Sequence, residues 1–290
     1  ITLQPGLTGG RVNEILKPYG RKFAPDPASV KSAMVGGIIA NNASGMNCGT
    51  HANSDKVMLS ARIILSDGTI LDTGDEKSRH DFIHSHPEFI QKIESVRDRI
   101  RKDSELVSRI RRKYSIKNVV GLNLFPFIEY DDPFDIIAHS IVGSEGTLAF
   151  LSEVTMKTEE DLPYKASAMV YFSDIREACK AVVAMKKAPV VNAEMLDKKS
   201  LQSVNDTTGE GLTAILTETK GHTREELVDN IHKIEDILSS FNTFTPVHFT
   251  DKESEYASYW AIRSGIFPSV GGTRHPGTTC LIEDVAFHIE

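Results

Sequence analysis

What the chain lacks narrows its class before any motif is read. It has only three cysteines in 290 residues, Cys48, Cys179 and Cys280. The number is odd and no Cys-x-x-Cys occurs, which fits a reducing compartment and argues against a disulfide framework. No uninterrupted apolar run approaches the roughly 18 residues of a membrane-spanning helix. There is no basic excess: 33 Lys and Arg stand against 40 Asp and Glu, a net charge of −7, which argues against a nucleic-acid partner. No G-x-G-x-x-G is present, and no Lys follows the glycines as in a Walker loop, so neither common nucleotide-binding signature applies. The opening residues carry no signal-peptide pattern. Ile1–Gly6 reads as the inside of a domain with no initiator Met, so the expectation is a piece of a larger protein.

What is present is ordinary in bulk and specific in detail. Hydrophobic content of 40% and charged content of 25% are those of a globular protein of one large or two smaller domains. Residues 1–75 read as short strands and turns, with a short helix from Arg11 ended by Pro18 and Gly20. Lys56 to Leu65 is near period two and predicts a strand, Ser66-Asp67-Gly68-Thr69 a hairpin turn, and Ile70 to Thr73 its return. Apolar residues at helical spacing among many charges predict a helical insertion over about 76–117. The run Ile136 to Val142 and the run Phe150 to Met156 both read as strands. Beyond Asp161-Leu162-Pro163, an expected domain boundary, the order reads as strand, helix, strand, then strand, helix, strand. That order predicts a ferredoxin-like module.

Two segments are unusual. Pro25-Asp26-Pro27 fixes the backbone ahead of Gly36-Gly37, read as a tight turn, and Asn41-Asn42-Ala43-Ser44-Gly45 follows. Gly143-Ser144-Glu145-Gly146-Thr147-Leu148 comes a hundred residues later. Glycine permits close backbone approach, and successive N–H groups beside it can form an anion-binding concavity. Two such segments suggest a flat, phosphorylated cofactor gripped from two sides.

These same residues, with Ser66-Asp67-Gly68, resemble the FAD-linked oxidases of the vanillyl-alcohol oxidase superfamily, and within it the D-lactate, glycolate and D-2-hydroxyglutarate dehydrogenase branch. The resemblance implies an α+β fold: an incomplete PCMH-type FAD-binding domain over 1–160, and a ferredoxin-like antiparallel-sheet substrate (cap) domain over 161–290, truncated at its C-terminus. It implies FAD as cofactor, lined by Pro25, Asp26, Pro27, Gly36, Gly37, Asn41, Asn42, Ser44, Gly45, Gly143, Glu145, Gly146 and Thr147. Lys117-Asn118-Val119-Val120-Gly121 resembles a stretch that lies near the flavin in this branch. Trp260-Ala261-Ile262-Arg263 resembles its Trp-x-x-Arg, whose arginine holds the substrate carboxylate. Around Asp284, Ile282 and Glu283 stand where some relatives have a substrate-binding Lys, which favours a monocarboxylate over a dicarboxylate.

The activity implied is FAD-dependent oxidation of a D-2-hydroxy acid, D-lactate first, with electrons passing to a quinone, cytochrome or iron–sulfur protein. The cytoplasm is the expected site, with peripheral association at the inner membrane as a variant. The family's phosphate loop and its metal-binding, base-bearing His motif are expected outside this chain. Two rivals stay open: oxidation of another alcohol-type substrate, or a fragment that holds no FAD and is inactive. Among the remaining residues, Cys48 and His51 supply too few ligands for zinc, and His51 could instead sit by the flavin. His84 and His86 read as solvated, His139 as an interior residue preceding a strand, and Cys179 as core.

Overall fold

The computed structural model describes residues 1–45, 51–204 and 212–279, and divides them into two compact units, Ile1–Asp161 and Leu162–Glu290. The first unit opens with β1 (Thr2–Leu3), α1 (Gly9–Leu16), a 3-10 turn at Lys17–Tyr19 and β2 (Arg21–Phe23). Thr8 caps α1 by accepting from the Arg11 N–H, and Val12 and Leu16 are its buried stripe. Two short helices, α2 (Val35–Ala40) and α3 (Ser54–Val57), lead into β3 (Met58–Ile64) and β4 (Ile70–Asp72). Leu65 N–H bonds to Thr69 O at 2.9 Å, closing the expected hairpin.

Helices α4 (Glu76–Ser85), α5 (Pro87–Lys102) and α6 (Ser104–Lys113) form the charged insertion, and α7 (Pro126–Glu129), α8 (Pro133–Ser140), β5 (Phe150–Met156) and β6 (Thr158–Glu160) complete the unit. Asp75, Asp103 and Asp132 cap α4, α6 and α8. Each such cap is worth about 1 kcal/mol. The main sheet is antiparallel in the order β1-β5-β3-β4, and β2 pairs with β6. Its core joins Leu3, Ile63, Leu71, Val154 and Met156 to Ile38, Ile39 and the buried side of α8. A smaller core, built on Ile100, Ile110 and Ile128, joins α5 and α6 of the insertion to α7.

The second unit runs β7 (Tyr164–Phe172), α9 (Ile175–Met185), β8 (Asn192–Leu196), α10 (Lys198–Ser203), β9 (Thr213–Gly221), α11 (Arg224–Leu238) and α12 (Glu253–Thr273). Its sheet has the order β7-β9-β8, all antiparallel, and Thr250 adds one bridge to Ser167 on β7. That is the split β-α-β arrangement with its fourth strand reduced to a bridge. Alternate side chains of β7 and β9 point to opposite faces. Ala166, Ala168, Val170 and Ile215 meet α9 and α11. Met169, Tyr171 and Leu216 pack with Tyr259 and Trp260 of α12.

Three expectations are corrected. Ile136 to Ser140 is helix, not strand. Asp132 caps it, Pro133 sits in its first turn, and burial of Phe134, Ile136, Ile137, Ala138 and His139 hides any amphipathic stripe. His139 therefore lies within α8, where its two ring nitrogens sit 2.8 Å from Asp135 O and 3.2 Å from Met58 O. Gly36-Gly37 lies inside α2 rather than in a turn. Cys179 is exposed, because the buried face of α9 runs through Ala178, Ala181 and Met185.

Candidate functional site

In the first unit the two glycine segments touch. The end of α2 and the loop after α8 are stitched together by two backbone bonds, Gly143 N–H to Ile39 O at 3.1 Å and Glu145 N–H to Ala40 O at 2.8 Å. Asn41 Nδ2 then reaches both carboxylate oxygens of Glu145, at 3.0 and 3.2 Å. The backbone folds tightly here: Asn42 and Glu145 hold φ of 48° and 53°, and Gly143 and Gly146 hold 81° and 72°. A non-glycine residue at positive φ is strained and persists only where its surroundings fix it. Asn42 is fixed by Asp55, its side chain 3.4 Å from both the carboxylate and the N–H of that residue. Ser44 Oγ donates to Asn53 Oδ1 at 2.8 Å.

Close approach explains the site glycines at three positions: a Cβ on Gly36 would lie 2.7 Å from Pro5 Cβ. A Cβ on Gly45 would lie 1.3 Å from Asp26 O, so the Pro25–Pro27 segment packs directly on residue 45. A Cβ on Gly143 would lie 3.2 Å from Gly121 O, which brings the loop after Asn118 into the same cluster. Gly37 is different: a Cβ there would meet nothing within 4 Å, so α2 presents bare backbone to open space.

The expected anion concavity is only partly available. The N–H groups of Gly143, Ser144, Glu145 and Thr147 are all taken by protein carbonyls. Other donors stand in for them. Ser144 Oγ and Ser54 Oγ are buried without a hydrogen-bond partner. Buried polar groups are normally satisfied. Two orphaned hydroxyls, together with the open backbone of Gly37, fit a polar, flat-faced cofactor such as FAD.

Electrostatics around the cluster are mixed. Asp55 is buried, with Lys56 Nζ 3.6 Å from its carboxylate and 3.7 Å above the Phe125 ring. Burial pushes the Tyr130 phenol up to about 12, with Glu129 and Asp55 adding to it, so it stays protonated. The ring of Tyr130 stacks on His139 at 4.2 Å. Burial likewise raises the Asp135 carboxyl, reinforced by Asp132. His51 is exposed and pairs with Glu159 at 3.4 Å. Cys48 lies outside the described residues. Among those residues no three His, Cys, Asp or Glu side chains group as metal ligands.

In the second unit, Arg263 on α12 donates through Nε to Glu194 Oε2 on β8 at 2.9 Å, both side chains about one quarter exposed. One helical turn earlier, Trp260 Nε1 donates to Ser167 Oγ at 3.1 Å. Ser167 Oγ lies 3.4 Å from Glu218, whose carboxylate pairs with Lys220 at 2.9 Å. Glu194, Glu218 and Lys220 escaped the sequence reading. The signal was there: Thr217-Glu218-Thr219-Lys220 interrupts an otherwise apolar strand, and the two charges at i and i+2 fall on one face. His86 also departs from its expectation. It is half-buried, stacked on Phe82 at 4.6 Å and 3.3 Å from Asp67 Oδ2, whereas His84 is exposed as expected.

Comparison with known proteins adds to this geometry. Residues 1–74 match the family described as "FAD binding domain", and residues 162–290 match "FAD linked oxidases, C-terminal domain". D-2-hydroxyglutarate dehydrogenase of Haemophilus influenzae is 27% identical over 75% of this chain and 22% of that protein. Glycolate oxidase subunit GlcD of Escherichia coli is 23% identical over 93% of this chain and 44% of that protein. The mitochondrial cytochrome-type D-lactate dehydrogenase of Arabidopsis thaliana is 22% identical over 98% and 41%. The chain thus spans less than half the length of these relatives. Among solved structures, an alkyldihydroxyacetonephosphate synthase superposes with a TM-score of 0.58 at 14% identity, over 93% of this chain and 43% of that one, and shares the fold. No helix among the described residues is long and apolar enough to cross a membrane.

Proposed function

The chain belongs to the FAD-linked oxidases, and from that premise we propose that it serves the FAD-dependent oxidation of a D-2-hydroxy acid, D-lactate first among the candidates. FAD, when bound, supplies the acceptor for the hydride that leaves the substrate's C2. The residues that would hold it are Pro25, Asp26, Pro27, Gly36, Gly37, Asn41, Asn42, Ser44, Gly45, Gly143, Glu145, Gly146 and Thr147, with Asn118 beside them. The unpartnered Ser144 Oγ and Ser54 Oγ are offered as further contacts.

One observation carries the substrate class. Glu194 engages Arg263 through Nε, which orients the guanidinium. Its two terminal nitrogens form the planar fork that takes a carboxylate through parallel hydrogen bonds. The relatives named for hydroxy acids support the same reading. Reducing equivalents would pass to a quinone, a cytochrome or an iron–sulfur protein.

A second reading rests on the same pair. With Glu194 already neutralising Arg263, the site would suit an uncharged alcohol. Anaerobic bleaching of bound FAD by a panel of D- and L-2-hydroxy acids and simple alcohols separates the two. Bleaching by D-hydroxy acids supports the first reading, and bleaching by alcohols alone sinks it.

A further inference from the structure

The first unit contains a cavity of about 460 Å³ lined by none of the residues offered above as flavin contacts. Its wall is formed by the ends of β3 and α5, one face of α8, and the loop carrying Leu122 to Leu124. Most of the lining is aliphatic or aromatic, with Ile63, Ile137 and Ile141 buried at the base. At the rim, Leu122, Leu124, Phe89 and Leu148 stay more than one third exposed. Apolar side chains left open around a preformed cavity of this size are the usual setting of a small-molecule site.

One polar group in that wall is unmatched. Asn123 is 5% exposed, and its Oδ1 accepts from the Phe125 N–H at 2.9 Å, which fixes how the amide is turned. Its Nδ2 is buried with no partner. A buried donor left unpaired costs about 1–3 kcal/mol, and a ligand oxygen would relieve that cost. Ser140 offers no second donor, because its hydroxyl is committed to Ile136 O at 2.7 Å. At the rim, His86 is committed to Asp67, whose carboxyl is held below its usual range by the Thr69 backbone N–H. That fixed negative charge disfavours an anionic ligand, the 2-hydroxy acids included.

We propose that this cavity binds an uncharged, mostly apolar small molecule through a carbonyl oxygen that accepts from Asn123 Nδ2. The site requires neither bound flavin nor Arg263.

The test uses the 290-residue chain, with acetophenone and its oxygen-free analogue ethylbenzene as probes. The readout is the Asn123 side-chain amide resonance in a ¹H–¹⁵N spectrum. Acetophenone is expected to shift that resonance saturably and to bind about tenfold more tightly than ethylbenzene, the worth of one hydrogen bond to a buried donor. Asn123→Asp keeps the acceptor for Phe125 and removes the donor, and should abolish the tenfold preference. Leu122→Trp, at the exposed mouth, should block both probes in a chain whose spectrum stays folded. Equal affinity for the two probes, no shift in the folded chain, or unimpeded binding to Leu122→Trp would overturn the proposal. Displacement of acetophenone by FAD would overturn it too, since the cavity would then belong to the flavin. Acetophenone binding by a chain that takes up no FAD would support this proposal while counting against the function proposed above.

Discussion

Asn41 and Glu145, 104 residues apart, meet through a single amide nitrogen that spans both oxygens of one carboxylate. Both side chains are at the surface, so the contact adds little stability. Its value is positional, because it holds the tip of one glycine segment against the other. Asn41→Leu should therefore leave the melting temperature within about 2 °C of the parent, consistent with a surface substitution. It should weaken FAD binding by about tenfold. Titration of FAD into the apoprotein, followed by flavin fluorescence, gives the affinity.

Gly37 and Gly45 should respond in opposite ways to alanine. At Gly45 the new methyl would collide with the Asp26 backbone, and overpacking of this kind costs about 1–3 kcal/mol. At Gly37 the methyl meets no protein atom, and Gly→Ala in a helix stabilises by about 0.5–1 kcal/mol. Gly37→Ala should thus unfold at higher urea and still bind FAD less well, because the bare backbone it covers is the proposed cofactor face. A Gly37→Ala chain with unchanged FAD affinity would remove Gly37 from the site.

Arg263→Lys keeps the charge but loses the planar fork. It should raise the half-saturating concentration of D-lactate for flavin bleaching by at least about tenfold, the worth of one charge-assisted hydrogen bond. Glu194→Gln keeps the shape and removes the negative charge paired with Arg263. If Glu194 only orients Arg263, the change in affinity will be small. A strong gain in hydroxy-acid affinity would show instead that Glu194 competes with substrate.

Lys220 and Glu218 form an ion pair with both side chains less than one tenth exposed. Removing one member leaves the other charge buried, which costs about 3–5 kcal/mol. Lys220→Met should therefore destabilise the second unit strongly. The double variant Lys220→Met with Glu218→Leu should recover most of the loss. Chemical denaturation of the four chains of this cycle measures the coupling.

The pH dependence of stability has two opposed sources. Burial raises the folded-state pKa of Asp135 above its ordinary 3.8. Its contribution is therefore fully present below that ordinary value and is lost as pH rises through the folded value. Glu255 is lowered by Thr250 and Lys252. Its contribution is present above the ordinary value of 4.5 and is lost as pH falls through the folded one. Asp135→Asn removes the first source, so it should raise the melting temperature at pH 7 and leave it little changed at pH 3. An equal rise at both pH values would refute burial as the cause.

How much of this was legible in the sequence depends on how each signal is encoded. The β3–β4 hairpin was readable because period-two alternation and Ser66-Asp67-Gly68-Thr69 are both local. The second unit was readable because its helices are amphipathic and its strands are bounded by turns. Helix α8 was misread because burial on nearly every side erased its period, although Asp132 and Pro133 marked its start. The Gly36-Gly37 pair looked like a turn because glycine signals both bends and bare helical surface, and only neighbouring atoms tell these apart. The Arg263–Glu194 and Asn42–Asp55 pairings were invisible because they depend on which strand or loop comes alongside, which no single segment states.

The pairing of Thr2 with Thr155, and of Arg21 with Glu160, sets a constraint on how the first unit comes into being. Its first two strands are closed by residues about 140–150 positions further along. Loop closure over such a span must precede the contacts that reward it. During synthesis the early strands will therefore wait, unpaired, until residue 160 has left the ribosome. In that interval their unpaired edges are open to aggregation and to chaperones.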